Sequence, residues 1–210
     1  MRPEHEAILF LLNLEKHMPT KLIAQALYPE EAEATRYGRV VKQLQRLRTL
    51  GLLESRRYAR LDVNDKSIDA LWGLTPAGRE YGYSPVKKWP SKLKYEHERT
   101  CAEVFVRFIQ TELHGWEQHK KIEGTGIIPD RTAWLTETLP LYIEVELQDR
   151  DRVSEKLTAY QRYFRESGNQ FRVLFLVKQL RDWRASQHYQ FQEVSHFLSQ
   201  PLSKTPSLQR

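Results

Sequence analysis

Two short stretches carry acids at a spacing suited to metal chemistry: Ile127-Ile-Pro-Asp130 and Leu141-Tyr-Ile-Glu-Val-Glu-Leu-Gln148. In a strand, successive side chains point to opposite faces, so Glu144, Glu146 and Gln148 share one face and Ile143, Val145 and Leu147 the other. If Asp130 ends an adjacent strand on the same side, it converges with Glu144. Two carboxylates with open coordination positions suit a hard divalent ion such as Mg²⁺. Such an ion polarises a phosphate and generates hydroxide. Lys156 and Tyr160 follow at i and i+4 on a predicted helix and share a face. The catalytic candidates read from spacing are Asp130 and Glu144. Asp130 and Glu144 are the candidate metal ligands, and Mg²⁺ is the one cofactor expected.

Each of these residues also has a plainer reading. Glu144, Glu146 and Gln148 have the alternation of an ordinary half-buried strand with one wet face. An aspartate after proline is a common turn residue. Lys156 flanks the apolar stripe of Val153, Leu157, Tyr160 and Phe164, and can lie on the surface with a packed stem. Tyr160 belongs to that stripe, and His97 suits a structural hydrogen bond.

Other chemistries lack support. Cys101 is the single cysteine, which leaves no internal disulfide and no cysteine-based zinc site and fits a reducing cytoplasm. The histidines show no paired zinc spacing. No phosphate-binding glycine loop and no nucleophile-elbow sequence occurs. No apolar run reaches membrane-spanning length, and the N-terminus does not read as a signal peptide. The formal charge of +6 points to a polyanionic partner.

That charge is concentrated in Arg36 to Arg60, where Glu54 is the only acid. Val40, Leu44 and Leu47 recur at helical spacing, with cations between them and Gly51 as the stop. A basic helix leading into a basic hairpin suits a DNA groove and its phosphates. Arg36, Tyr37, Arg39, Lys42, Gln43 and Arg46 are the groove-facing candidates. Arg57, Tyr58 and Arg60 are candidates on the hairpin, and the simpler alternative is a solvated basic face.

The surrounding elements must position both sets. Helices are predicted over 4–17, over 21–27 with Thr20 as cap, and over 31–50. Strands follow over 52–58 and 70–74, joined by a turn at 63–66, and Thr75-Pro76 starts a short helix. Residues 86–92, with a proline just before them at 85 and another within them at 90, read as a linker. Beyond it the pattern gives a helix over 94–113, strands over 116–122, 126–135 and 139–148, a helix over 152–165, a strand over 171–178 and a helix over 182–198. That is an α/β domain with a mixed sheet. The Ser-, Pro- and Gln-rich tail, 200–210, reads as disordered.

RVVKQLQRLRTLGLLESRR resembles the recognition helix and first wing strand of bacterial winged-helix regulators, and ALWGLTPAGREYG resembles the second wing strand and the helix cap after it. Pro-Asp, a gap and Glu-x-Glu resemble the PD-(D/E)xK nuclease core, whose aspartate and strand glutamate hold Mg²⁺. This chain departs from that core. Glu146 stands where the core has lysine, and Lys156 is the available substitute, so the resemblance implies Asp130, Glu144, Glu146 and Lys156 as the catalytic set. The complete arrangement (winged helix, a helix beginning near His97, Pro-Asp, Glu-x-acid, KxxxY) resembles the replication-relaxation family of plasmids and integrative elements.

The resemblance implies an α+β protein with two domains. Residues 1–85 form a winged helix-turn-helix, and residues 93–199 form a restriction-endonuclease-like domain with a mixed central sheet. It implies a cytoplasmic double-stranded DNA-binding protein of plasmid replication or conjugative mobilisation. Its expected partners are DNA, a relaxase or replication protein, and a second copy of itself. Three readings remain open: a nuclease-like second domain that does not catalyse, which the missing in-strand lysine favours; a Mg²⁺-dependent endonuclease or nickase using Asp130, Glu144 and Lys156; and a transcriptional regulator whose second domain dimerises or senses a ligand.

Overall fold

A computed structural model describes residues 1–57, 70–80, 89–91, 94–111, 113–147, 150–180 and 185–200, with the side chains of residues 150 and 151 excepted. The chain forms two compact units, Met1–Val106 and Arg107–Arg210. It is mixed α and β, with a three-stranded sheet in the first unit and a five-stranded one in the second. Among the described residues no helix is long and apolar enough to cross a membrane.

The first unit begins with α1 (Pro3–Leu14), which has proline in its first turn and buries Ile8, Leu9, Leu11 and Leu12. The sequence carries this helix to residue 17, but it stops three residues earlier. Met18 precedes Pro19, and a residue before proline is biased towards extended backbone. The chain therefore turns at Lys16, at a φ of 35°, into a strand β1 (His17–Pro19) that the periodicity did not show.

Helix α2 (Thr20–Leu27) is flanked by Pro19, not capped by Thr20. The Thr20 hydroxyl instead accepts from the Trp72 indole N–H at 2.9 Å. Helix α3 (Glu33–Thr49) buries Val40, Leu44 and Leu47, as their spacing predicts. Gly51, at a φ of 74°, closes it. The Leu52 N–H reaches the Leu47 carbonyl at 3.0 Å and the Gly51 N–H reaches that of Arg48 at 2.9 Å, the two bonds of a Schellman cap.

Strands β2 (Leu53–Arg56) and β3 (Leu71–Leu74) pair antiparallel, and β1 pairs with the other edge of β3, giving the order β1-β3-β2. The predicted turn at 63–66 lies outside the described residues. Thr75 caps α4 (Pro76–Arg79) by accepting from the Gly78 N–H at 3.0 Å. Helix α5 (Tyr95–Phe108) ends earlier than its pattern suggested and buries Tyr95, Cys101, Ala102, Val104, Phe105, Val106 and Phe108. All but its last two residues fall in the first unit, whereas the sequence placed this helix after the linker.

In the second unit, β4 (Gly115–Gln118), β5 (Arg131–Trp134) and β6 (Pro140–Glu146) are antiparallel neighbours. Helix α6 (Arg150–Ser167) then leads to β7 (Arg172–Val177), parallel to β6, and β8 (Tyr189–Glu193), parallel to β7. The order is β4-β5-β6-β7-β8. A helix predicted over 182–198 is thus replaced by β8 and a short α7 (Val194–Ser199). Tyr189 and Phe191 alternate with glutamines, a strand pattern, and face Val173 and Phe175 in register. Val173, Phe175 and Val177 of β7, Tyr142 of β6 and Val153 and Tyr160 of α6 belong to one buried cluster. The disordered tail expected at 200–210 lies outside the described residues apart from Gln200.

Two glycines in helices should respond oppositely to alanine. A Cβ at Gly78 would lie 2.1 Å from the Leu52 carbonyl oxygen, whereas one at Gly38 would meet nothing within 4 Å. Gly78→Ala should destabilise the chain by about 1–3 kcal/mol through overpacking. Gly38→Ala should stabilise it by up to about 1 kcal/mol. Urea unfolding of the two variants checks the difference in sign.

Candidate functional site

In the second unit, β6 presents Tyr142, Glu144 and Glu146 to one face, opposite Val173, Phe175 and Val177 of β7 in the parallel register. Glu144 thus replaces an apolar residue in an apolar row and is 0% exposed. A carboxylate there needs partners, and α6 supplies them. Lys156 Nζ donates to Glu144 Oε2 at 2.5 Å, and the Tyr160 hydroxyl donates to Glu144 Oε1 at 2.7 Å. The i, i+4 spacing aims both side chains at one glutamate.

Asp130 stands immediately before β5. Its Oδ2 accepts from the Val145 N–H at 2.9 Å, so the carboxylate bonds to the β6 backbone one residue beyond Glu144. Lys156 Nζ lies 2.6 Å from Glu146 Oε1 and 3.7 Å from Asp130 Oδ2. Asp130, Glu144, Glu146 and Lys156, named from sequence as one set, therefore meet around a single ammonium group. Gln148 lies outside the described residues.

Three carboxylates around one cation leave excess negative charge. Burial pushes the Glu144 carboxyl up to about 7, with Lys156 opposing and Asp130 adding to the shift. Burial alone would lower the Lys156 pKa, but Glu144 and Asp130 reverse that and raise it. Burial, with Glu144 beside it, also holds the Tyr160 hydroxyl protonated far above its usual range. A cavity of about 630 Å³ reaches Glu144 and Lys156 between the loop 124–128 and α6, where Glu155, Arg162, Tyr163 and Glu166 also line it.

The donor set has the right chemistry for Mg²⁺, since all three acids offer hard oxygens. The arrangement does not fit the ion. Both Glu144 oxygens, Glu146 Oε1 and Asp130 Oδ2 face protein donors, and the ammonium lies among them. Among the described residues no group of three or more His, Cys, Asp or Glu side chains is placed to hold a metal.

Sequence reasoning missed Arg131. It is 1% exposed, and its Nη1 donates to the Asp130 carbonyl at 2.7 Å and lies 3.2 Å from His119 Nε2. Pro-Asp-Arg was the available signal, but a lone arginine at a strand start carries no periodicity. His97, by contrast, sits within α5 with its Nδ1 3.9 Å from Cys101 Sγ.

In the first unit the α3 candidates divide. Arg39 Nη1 bonds Glu31 at 2.9 Å, Nη2 lies 3.8 Å from Glu4, and the guanidinium covers the Tyr28 ring at 4.3 Å. Arg36 Nη1 donates to the Pro29 carbonyl at 3.3 Å, and His5 Nε2 donates to Gln43 Oε1 at 2.8 Å. These three tie α3 to α1 and to the segment before α3. Tyr37, Lys42 and Arg46 are exposed on the helix, and Arg57 is exposed just after β2. Tyr58 and Arg60 lie outside the described residues. Arg56 covers the Trp89 ring at 5.0 Å, and Trp89 donates to Glu54 at 3.1 Å.

A family model described as replication-relaxation matches residues 9–175. No curated protein and no solved structure gives a match.

The raised Glu144 pKa has a definite sign in the stability profile. The folded value lies above the unfolded one, so the native state binds the extra proton between about pH 4.5 and 7. Stability contributed by this group is complete below that window and falls as pH rises through it. Glu144→Gln should flatten this part of the profile, and urea midpoints measured across the window against wild type test it. Tyr160→Phe should cost about 1–3 kcal/mol in the same assay, because it leaves a buried carboxylate oxygen without its donor.

Proposed function

The chain belongs to the replication-relaxation family, which suggests a role in plasmid replication or mobilisation, and from that premise we propose that it is a double-stranded DNA-binding protein whose second unit does not catalyse. The first unit reads as a winged helix-turn-helix, with α2 and α3 as the helix pair and the β2–β3 hairpin as the wing. The observation that carries this reading is the outward face of α3. Lys42 and Arg46 stand exposed there, opposite the buried stripe, with Tyr37 exposed on another side of the helix, while Arg39 beside them is held by acids of its own unit. A helix in the major groove reads bases with such side chains, and arginine is the strongest reader of guanine. Arg57 then lies where a wing meets the phosphate backbone.

The second unit reads as a nuclease-like scaffold of PD-(D/E)xK type. Its mixed sheet, its Pro-Asp before β5 and its strand glutamate beneath a helix support that reading. The ion pairs that Lys156 makes with Glu144 and Glu146 favour a retired site. A Mg²⁺-dependent nuclease remains the second reading, supported by the meeting of Asp130, Glu144 and Glu146 beside a solvent cavity. It requires Lys156 to withdraw from the carboxylates. Expected protein partners are a relaxase or replication protein of the same element, with a second copy of the chain on a palindromic site.

Two experiments test this reading. Anisotropy titrations of origin DNA over a range of salt should give a steep salt dependence. Lys42→Ala should lower the slope by about 1 if it neutralises a phosphate, and Arg46→Ala should cost about 1–3 kcal/mol of specific affinity if it reads a base. Arg39→Ala should leave the salt slope unchanged and lower the unfolding midpoint instead. Supercoiled DNA incubated with Mg²⁺ or Mn²⁺ should stay uncut by wild type and by Asp130→Ala alike. Cutting that disappears in Asp130→Ala would establish the nuclease.

A further inference from the structure

Gly51, Gly73 and Gly78 each have a reason within the first unit. Gly51 takes a φ of 74°. A Cβ at Gly73 would meet the His17 ring at 2.9 Å, and one at Gly78 would collide with the Leu52 carbonyl. Gly38 has no such reason. It lies inside α3 in helical backbone, it is exposed, and a Cβ there would meet nothing within 4 Å. A glycine in a helix interior lowers helix stability relative to alanine, so the fold gains nothing from this residue.

Its place on the helix supplies a reason outside the fold. Gly38, Lys42 and Gln45 recur at i, i+4 and i+7 and are all exposed, each two residues before Val40, Leu44 and Leu47 of the buried stripe. Two residues turn a helix by a little more than half a circle, so the exposed row lies opposite the buried one. Lysine suits a phosphate, and glutamine reads adenine in the major groove. Gly38 sits one turn nearer the helix N-terminus, the part of a recognition helix that approaches base edges. A missing side chain lets helix backbone come close to a ligand.

We propose that Gly38 is the point of closest approach between α3 and the base edges of DNA, and that its missing side chain sets how deeply the helix seats in the major groove. This deepens the reading of α3 as a recognition helix, on which it rests. A methyl group at this position holds the helix off the bases. Lys42 still reaches phosphates through its flexible stem, so sequence-specific binding falls while non-specific binding stays.

The test uses the full chain and a duplex that wild type selects from a random-sequence library, with a scrambled duplex of the same length as the non-specific reference. Gly38→Ala should melt higher than wild type and yet bind the selected duplex at least about tenfold more weakly, the loss of one good base contact. Its affinity for the scrambled duplex and its salt slope should match wild type. Gly38→Val, with a larger side chain, should lose more of the specific affinity. Because the alanine variant is the more stable protein, its weaker binding does not come from unfolding.

Wild-type affinity of Gly38→Ala for the selected duplex overturns the proposal. A lowered melting temperature does so too, since it makes the glycine a requirement of the fold. A changed sedimentation coefficient of the free variant also overturns it, by assigning Gly38 to a contact between copies of the chain. Lys42→Ala separates the two claims. If that variant lowers the salt slope while Gly38→Ala binds as wild type, the recognition helix stands and the role of Gly38 falls. If Gly38→Ala, Lys42→Ala and Arg46→Ala all bind both duplexes as wild type does, the recognition helix itself falls.

Discussion

A single buried carboxylate governs the second unit. Glu144 occupies a position on β6 whose neighbours across the sheet are Val173, Phe175 and Val177. An isolated charge there would be expensive, and hydrogen bonds with an opposite charge are what make it tolerable. Lys156 and Tyr160 meet that demand from one face of α6, which fixes the helix rotation over the sheet. Asp130 adds the remaining constraint by bonding the Val145 N–H. Sheet, helix and loop are thus referred to one side chain, and Tyr160, which bonds it, belongs to the apolar cluster of the same unit.

The same rule, that a charged group must find its partners somewhere, sorts the surface of the first unit. Arginines spaced along α3 look equivalent in sequence, but the neighbours each one meets along the helix decide their work. Arg36 and Arg39, towards the start of the helix, meet acids and carbonyls of their own unit, and Gln43 meets His5. Lys42 and Arg46 fall opposite the buried stripe of Val40, Leu44 and Leu47, where DNA is the partner proposed for them. A basic helix is therefore only partly a recognition surface, since some of its cations hold it in place.

Periodicity was informative wherever one face is buried and the other is wet. It placed α3, α6 and the edges of β6 and β7 within a few residues, and Gly51 marked the end of α3 and Thr75 the start of α4 because their backbone requirements are local. It failed at β1, where three residues are too few to show a period, and at β8, where a helix was expected although Tyr189 and Phe191 alternate as a strand does. It left two readings open for the β6 face carrying Glu144 and Glu146. Clean alternation of acid and apolar residues suggested a wet side, yet α6 covers it. No pattern in the strand itself reports what lies above it. The link from Asp130 through Lys156 to Glu144 was legible as a motif, but the position of the ammonium among the oxygens was not. That position depends on the rotation of a helix whose lysine lies 12 residues downstream of Glu144.

The most direct test of a site closed by its own lysine is an anomalous diffraction map from crystals of the wild-type chain soaked in MnCl₂. A closed site gives no manganese peak beside Asp130 and Glu144, with Lys156 Nζ still in contact with Glu144 and Glu146. A manganese peak between the aspartate and the glutamate, with the lysine turned away, would contradict it and make the second unit a metal-loaded nuclease core.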